Sequence, residues 1–412
     1  MIVALRTFAM LCAGPLIILL GGLPALLRTG QVDLRAWVWP ALVLILIAAA
    51  LRARRSVLHA IWAGLGSVGT VLLFAWLATG HLFDLVDLAW LGLTVLLALG
   101  SGIFMIGQRW LGLGLAGLAV LSCGLAADPS LERARERPAL AVISALPLFW
   151  REGQDGIQAR EDAPIIRILR QRFDVRPADS PLSPKIPRAD ALLLAQPRAM
   201  SAAELLALDG WVRGGGTMLL LADPLLRWPS SLPLGDRRRA PPVSMLAPLL
   251  GHWGVELQSP SSTGEKRQML ADGHLLTTMA ASSFALRKNS NCRIEHEALV
   301  ARCMIGHGRA VLVADADLID DRLWLADEAT PLKWRAWTAD TAGFVVHHLG
   351  GASIEPRIWV TSLVGLTTAL RWALIAGISW AIMGSVLLYR RKGPFPLLSS
   401  ASRSLGLALS RE

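Results

Sequence analysis

The stretch DALLLAQPRAMSAAELLALDGWVRGGGTMLLLADP, Asp190–Pro224, decides the fold of the longest polar block of this chain. Two short and continuous apolar runs, Ala191–Ala195 and Thr217–Ala222, flank a segment with helical periodicity. Continuous apolar runs of this length are typical of strands that are buried on both faces of a parallel sheet. The order strand, helix, strand therefore predicts an α/β domain whose parallel sheet is covered by helices on both faces.

Residue types mark both ends of the helix between these strands. Ser201 and Glu204 have the spacing of a capping box, in which the hydroxyl accepts from a first-turn amide while the glutamate reaches back. The glycine run 214–216 follows the helix and ends it. Because this run lies after a helix and before a strand, its order is the reverse of a phosphate-binding loop. It is interpreted as a turn.

Outside this stretch the same patterns predict further elements. Residues 298–315 predict a β-hairpin, since two apolar runs flank a short connection that contains two glycines. The other predicted elements are strands at Ala139–Ile143 and Phe173–Arg176 and helices at Pro164–Arg172, Met245–Trp253 and Thr338–Leu349.

Six apolar stretches flank this block, five before it and one after it. Each is close to the ~20 residues that a helix needs to cross a ~30 Å hydrocarbon core. The composition, with 53% hydrophobic and 17% charged residues, also suits a membrane protein. We therefore expect a polytopic α-helical membrane protein with an inserted α/β domain, a parallel-sheet sandwich plus a β-hairpin. The stretches are Thr7–Leu27, Leu34–Leu51, Val57–Thr79, Leu85–Gly107, Trp110–Ala126 and Trp372–Tyr389.

Basic residues at the ends of these stretches predict the orientation, because cytoplasmic loops are enriched in Lys and Arg. The expected order is five transmembrane helices in 1–127, an exoplasmic or periplasmic α/β domain in 128–360, a transmembrane helix in 361–390 and a basic cytoplasmic tail in 391–412. Both termini would be cytoplasmic, in a bacterial inner membrane. A cleaved signal peptide at Thr7–Leu27 remains an alternative. The basic residues are Arg52, Arg54, Arg55, Arg109, Arg390, Arg391 and Lys392.

The net charge of +10 does not indicate a nucleic-acid partner, since the arginines are scattered and no nucleic-acid-binding motif is present. Of the four cysteines, Cys12 and Cys123 fall in predicted membrane spans. Cys292 and Cys303 fall in the exoplasmic domain, where an oxidising compartment would permit a disulfide between neighbouring strands. Two free buried thiols are the alternative.

Two segments suggest a family. Asp190–Pro224 and the later GHGRAVLVADADLIDD, Gly306–Asp321, resemble the soluble domain of gliding-motility-type ABC transporter auxiliary proteins. The resemblance implies an amidotransferase-like or flavodoxin-like three-layer sandwich, and separate ABC ATPase and permease chains as partners. Family members usually carry one C-terminal span, so the five apolar stretches before the domain depart from that pattern.

Class I glutamine amidotransferases need a Cys nucleophile on a tight strand-to-helix turn, activated by a His. The corresponding strand here ends in Leu221-Ala222-Asp223-Pro224, without Cys or Ser. His347 and His348 then have nothing to activate. No catalytic residue and no cofactor is predicted.

The remaining candidate residues are acidic. Asp223, Asp315 and Asp317 follow predicted strands and are expected to bind a ligand or partner at the carboxyl end of the sheet, or to cap backbone amides. Asp320 and Asp321 lie close by, but the spacing of an EF-hand and its closing Glu are missing, so no metal site is predicted.

These observations predict a non-catalytic integral-membrane accessory subunit of an ABC-type export or envelope-assembly complex, whose domain binds a partner or substrate. A Walker A sequence is absent, so the ATPase would be a separate chain. One alternative is a cell-envelope hydrolase or transferase that uses a carboxylate site near Asp223. Another is a structural or sensory membrane protein of an envelope-stress complex.

Overall fold

The structure is a computed structural model. It describes residues 57–81, 109–126 and 130–390, apart from 154–155, 261, 289 and 361, together with positions 11, 19, 22–24, 26–32, 88–89, 92–93, 96–97 and 100. The chain divides into two compact units. The helical unit is Met1–Asp128 with Ile358–Glu412, and the α/β unit is Pro129–Arg357.

The helices and strands are numbered in chain order. The helices are α1 Val57–Thr79, α2 Arg109–Ala126, α3 Pro164–Arg172, α4 Ala202–Arg213, α5 Ala247–His252, α6 Asp321–Trp324, α7 Thr341–His348 and α8 Leu363–Arg390. The strands are β1 Ala139–Ser144, β2 Arg151–Gly153, β3 Gly156–Ala159, β4 Asp174–Pro177, β5 Ala191–Ala195, β6 Thr217–Leu221, β7 Val255–Leu257, β8 Glu265–Met269, β9 Leu275–Met279, β10 Phe284–Leu286, β11 Cys292–Glu295, β12 Val300–Ile305 and β13 Gly308–Val313.

A seven-stranded mixed sheet forms the centre of the α/β unit, in the order β11-β12-β13-β6-β5-β1-β4. The five strands from β13 to β4 are parallel, whereas β12 and β11 are antiparallel to their neighbours. Every residue of β5 is buried, as its continuous apolar run predicts. In the register, Leu221 of β6 lies between Ala195 of β5 and Val313 of β13, so these three strands end side by side.

Helix α4 shows how local sequence sets the element boundaries. Ser201 and Glu204 form the predicted capping box, and Gly214 follows the last helical residue. Leu208 and Val212 are buried, and the helix contacts β13. The predicted boundaries of this helix are confirmed.

In the helical unit, α1 and α8 pack against each other through two tryptophans. The rings of Trp62 and Trp380 stack with their centroids 4.4 Å apart. Each indole N–H donates to the main-chain carbonyl of the other, at 3.1 and 2.9 Å. Gly66 and Gly384 leave the space for these rings, because a Cβ at either position would collide with the facing indole.

The predicted fold class is wrong. Among the described residues, two helices, Ile61–Thr79 and Leu363–Leu388, are long and apolar enough to cross a membrane, judged by length and composition alone. The apolar helix Trp110–Leu121 is shorter. The largest described feature is the mixed seven-stranded sheet, so the chain is not a polytopic helical membrane protein with a parallel-sheet insert.

Two physical reasons explain this correction. Hydropathy measures composition, and an apolar run of about 18 residues is common to spans and to packed helices. A short apolar run likewise does not reveal the direction of a strand, so the sheet was predicted to be parallel, whereas β11 and β12 are antiparallel to their neighbours. The apolar stretches Thr7–Leu27, Leu34–Leu51 and Leu85–Gly107 lie wholly or largely outside the described residues, and so does the tail 391–412.

Candidate functional site

Polar residues follow the carboxyl ends of four neighbouring strands. Ser144 ends β1, Gln196 follows β5, and Asp223 and Asp315 come two residues after β6 and β13. Open α/β sheets place their ligands outside these ends. The parallel register therefore builds one polar edge, which we call the carboxyl edge.

Gln196 is the member of this edge that sequence reasoning missed. Its side chain is buried, and its backbone has a positive φ of 41°, which is uncommon for a residue other than glycine. The amide nitrogen of its side chain donates to the carbonyls of Asp223 and Pro241, at 3.1 and 3.0 Å, and the amide oxygen accepts from the Asp223 N–H at 2.9 Å. A polar residue directly after the run ALLLA was the available signal.

The structure brings the three predicted carboxylates together. Asp223, Asp315 and Asp317 each offer one oxygen, and these oxygens lie within 4.8 Å of one another. The three side chains are 0 to 1% exposed. Parallel pairing of β6 with β13 is the cause, because it sets the loops after both strands side by side.

Backbone amides occupy most oxygens of this cluster. In the described residues, five of the six carboxylate oxygens accept from a main-chain N–H, whereas Oδ1 of Asp317 is buried without a hydrogen bond. The cluster thus joins the loops after β6 and β13 to the end of β9. The donors are Leu225 at 2.7 Å and Ala316 at 3.2 Å to Asp223, Met279 at 2.9 Å and Leu318 at 3.1 Å to Asp315, and Arg227 at 2.6 Å to Asp317.

Burial makes the three carboxyl groups weaker acids than usual. It raises the pKa of Asp317 to about 7, assisted by the charges of Asp223 and Asp320. The pKa of Asp315 lies well above its ordinary value, first through burial and then through its two acidic neighbours. The pKa of Asp223 is raised by burial as well, although hydrogen bonds from backbone amides and from Asp315 oppose this shift. The three carboxyl groups are therefore not all ionised at neutral pH.

Carboxylate oxygens are also the ligands that Ca²⁺ and Mg²⁺ prefer. A calcium ion takes six to eight oxygens, but of the six oxygens of these three described carboxylates only one is not already accepting a backbone hydrogen bond. The described donor set fits capping and loop positioning better than a cation. The absence of a metal site stays a prediction.

Cys292 and Cys303 are joined by a disulfide, with their Cα atoms 4.0 Å apart, and pair directly across β11 and β12. Cys303 also pairs with Ala310 near the start of β13, whereas Asp315 follows the end of that strand. The two sulfurs therefore lie away from the carboxyl edge, and neither is a free thiol.

His347 and His348 lie at the end of α7. Burial, together with the nearby charge of Arg302, lowers the pKa of His348 to about 3. Its ring meets Phe344 edge-on at 4.3 Å. This histidine is neutral and packed at neutral pH.

Residues 137–261 match the family described as "ABC-type uncharacterized transport system". The predicted family resemblance is confirmed. The match covers less than half of the chain, from β1 to just beyond β7, and includes Asp223. The family name indicates an auxiliary role in ABC-type transport, and with it association with a membrane and with ABC components.

None of the curated proteins matches this chain. Similar solved structures include an exo-beta-1,4-mannosidase, Op5Man5, from Opitutaceae bacterium strain TAV5, at 12% identity and a TM-score of 0.30, with 61% of this chain and 40% of that chain covered. A beta-galactosidase from Rahnella sp. R3 matches at 13% identity and a TM-score of 0.27, with 54% of this chain and 34% of that chain covered. The chain thus spans less than half of either protein, and scores this low support no conclusion about activity.

Proposed function

We propose that this protein is a non-catalytic, membrane-anchored accessory subunit of an ABC-type export or envelope-assembly complex, with an α/β unit that binds a partner or substrate. The family match over residues 137–261 carries the proposal. ATP hydrolysis and the transport path would belong to separate ATPase and permease chains.

Helices α1 and α8 support membrane anchoring. Both contain segments of sufficient length and apolar character to span a bilayer. Helix α8 also exposes large apolar side chains, such as Leu363 at 78% and Val364 at 76%. Arginines 52, 54 and 55 precede α1, and Arg390 to Lys392 end or follow α8. This charge distribution favours an exoplasmic α/β unit, which is the periplasm in a bacterial inner membrane.

Alkaline phosphatase fusions test this orientation, because the enzyme is active only outside the cytoplasm. A fusion after residue 200 should be active and one after residue 395 inactive, at equal expression. The reverse pattern would place the α/β unit in the cytoplasm and remove the proposed orientation.

Geometry at the carboxyl edge supports a role without turnover. The turn 222–224 after β6 carries no nucleophile, and the Asp223 carboxylate accepts from Leu225 and Ala316. The hydrolase alternative rests on the raised pKa of Asp317, since a general acid needs such a value near neutrality. The Asp317 carboxylate, however, accepts a hydrogen bond from the Arg227 N–H, so it positions the loop after β6.

The purified full chain should therefore not hydrolyse glutamine or glycosides, and Asp223→Asn should change partner binding or stability only. A hydrolytic activity that disappears in this variant would overturn the non-catalytic proposal in favour of the envelope enzyme.

Co-assembly tests the transport role. The full chain, tagged and solubilised in a neutral detergent, should co-purify in fixed stoichiometry with an ABC ATPase and a permease encoded beside it, and should change the ATPase rate. If the neighbouring genes encode a MoxR-type ATPase and von Willebrand-type proteins, and only these co-purify, the envelope-stress alternative replaces the transport role.

A further inference from the structure

A cavity of about 570 Å³ lies in the α/β unit, within the range of small-molecule sites. Its walls come from the segments that follow β1 and β6, the start of α3, and the region of α6. From β1 the chain passes to β4 on one side and later to β5 on the other, so β1 is the topological switch point. Ligands of open α/β sheets bind at this place.

Two tryptophans belong to the cavity wall. Trp150 follows β1, and Trp228 lies in the loop after β6. Both are partly exposed, so their indole rings remain accessible. Three prolines, Pro147, Pro164 and Pro229, also belong to the apolar part of the wall.

The polar part of the wall is mainly acidic. Asp162 forms an ion pair with Arg170, and the carboxylates of Asp321 and Glu328 also line the cavity. Of the described residues that line the cavity, Arg167 is the one cation. The pKa of Asp321 is raised to about 6 by burial and by the charges of Asp320 and Glu328. A cation between these carboxylates would relieve that repulsion.

The buried carboxylates of the carboxyl edge hold this wall in place. Asp317 accepts from the N–H of Arg227, the residue before Trp228. Asp223 accepts from Leu225 in the same loop and from Ala316 at the start of the segment that leads to Asp321. The cluster thereby couples the aromatic side of the cavity to its acidic side.

We propose that this cavity binds a small organic cation, a ligand with an amino or quaternary ammonium group, between Trp150, Trp228 and the carboxylates of Asp321 and Glu328. Indole faces attract such cations, and carboxylates neutralise their charge. The assignment rests on the cavity and not on the accessory role, so its failure would leave the co-assembly test unaffected.

Choline serves as the probe, and calorimetry with the full chain in an uncharged maltoside detergent measures its binding. We expect saturable binding in the micromolar to millimolar range, weakened by added salt. The neutral isostere 3,3-dimethylbutan-1-ol should bind at least about tenfold more weakly. Equal binding of the two compounds, or no binding of choline at 10 mM, would overturn the proposal.

Substitutions separate a cation site from an apolar one. Trp228→Leu and Asp321→Asn should each weaken choline binding roughly three- to thirtyfold, with Trp228→Phe in between. Glu328→Gln provides a second acidic variant if Asp321→Asn unfolds, and unchanged circular dichroism checks each fold. Glu297→Gln, an exposed carboxylate that pairs with Lys266 outside the cavity, is the matched control and should leave binding unchanged. Choline affinity that survives Trp228→Leu and both acidic variants would refute the assignment.

Glycerophosphocholine distinguishes two sources of the cation. It carries the same trimethylammonium group beside a phosphate, as a lipid headgroup does. If glycerophosphocholine binds more weakly than choline, the cavity is assigned to a free amine, because the carboxylates would repel the phosphate. Tighter binding assigns it to a lipid headgroup. Binding of both with the same loss in Trp228→Leu supports the shared chemistry.

Discussion

The helical unit and the α/β unit satisfy their buried polar groups in different ways. Between α1 and α8, two indole N–H groups donate to main-chain carbonyls of the facing helix. At the carboxyl edge, backbone amides donate to buried carboxylates such as Asp223 and Asp315. The helix pair thus contains polar groups without buried charge, whereas the sheet unit contains acidic groups at its loops.

This difference follows from the packing available in each unit. Trp62 and Trp380 fit because Gly66 and Gly384 have no side chain, so the contact depends on two small residues. In the α/β unit, strand ends leave loops with many unpaired amides, and carboxylates can accept several of them at once. Substitutions in one unit should therefore leave the spectroscopic signals of the other unit unchanged.

The largest effect is expected from the disulfide of the α/β unit. Cys292 and Cys303 close a loop with a sequence separation of 11, so the double variant Cys292→Ala, Cys303→Ala should lower the free energy of unfolding by about 2–4 kcal/mol. Urea unfolding of the full chain in detergent, followed by near-UV circular dichroism, measures it. A reductant should destabilise the wild type and leave the double variant unchanged. A wild type indifferent to the reductant would mean that no disulfide forms.

A substitution at Gly66 tests the contact between α1 and α8. Its Cβ would collide with the Trp380 ring, so Gly66→Ala should destabilise the α1–α8 contact by about 1–3 kcal/mol. The exciton signal of the stacked indoles, assigned with Trp380→Phe, should weaken. Gly69, on the same helix, has open space around it. Gly69→Ala should be neutral or slightly stabilising. Equal losses in both variants would contradict the specific role of the contact.

Sequence patterns predicted the elements that carry their own local signals. The helix α4 has a capping box and a glycine end, and β5 has a continuous apolar run, so both were placed within a residue or two. The order of strands has no such signal. Pairing of β6 with β13 joins segments about ninety residues apart, and only tertiary packing decides it.

The same limit applies to the site. Asp223, Asp315 and Asp317 were candidates because each follows a predicted strand, and the structure brings their oxygens together. Gln196 was not a candidate, because a Gln after an apolar run resembles any loop residue until its contacts with Asp223 are known. The cavity near Trp228 was not predicted either, since its walls come from four distant segments and the loop itself has the composition of an exposed connection.

Asp317 should make the α/β unit sensitive to pH. Its pKa in the folded state is about 7, raised from 3.8 by burial. For an acid whose pKa is raised, the folded state binds more protons, so this group's contribution to stability falls as pH rises from about 4 to 7. Asp317→Asn removes that loss and keeps an acceptor for the Arg227 amide. The stability gain of the variant over wild type should therefore be about 2–3 kcal/mol larger at pH 8 than at pH 5.

Urea midpoints at the two pH values measure this gain. Asp236 provides the control, because its pKa is lowered by Arg238 and it is ionised at both values. Asp236→Asn should show the same small effect at pH 5 and pH 8. The signal of the Trp62–Trp380 pair should not change with pH. A gain for Asp317→Asn that is equal at both values would mean that the carboxylate is ionised throughout.

The smallest effects on stability are expected from removing one hydroxyl group in each unit. Ser201 accepts from the Glu204 amide at the start of α4, an N–H that has no partner within its helix. Ser201→Ala should therefore cost about 1 kcal/mol. Thr70 of α1 donates to the Gly66 carbonyl at 2.6 Å, but this carbonyl already accepts from its own helix, so Thr70→Val should change stability by less than about 0.5 kcal/mol. Urea midpoints for the cap, and the indole exciton signal for α1, measure the two changes. If Thr70→Val weakens the Trp62–Trp380 signal as strongly as Gly66→Ala does, the helix pair depends on polar contacts beyond its two indoles, and the contrast between the units fails.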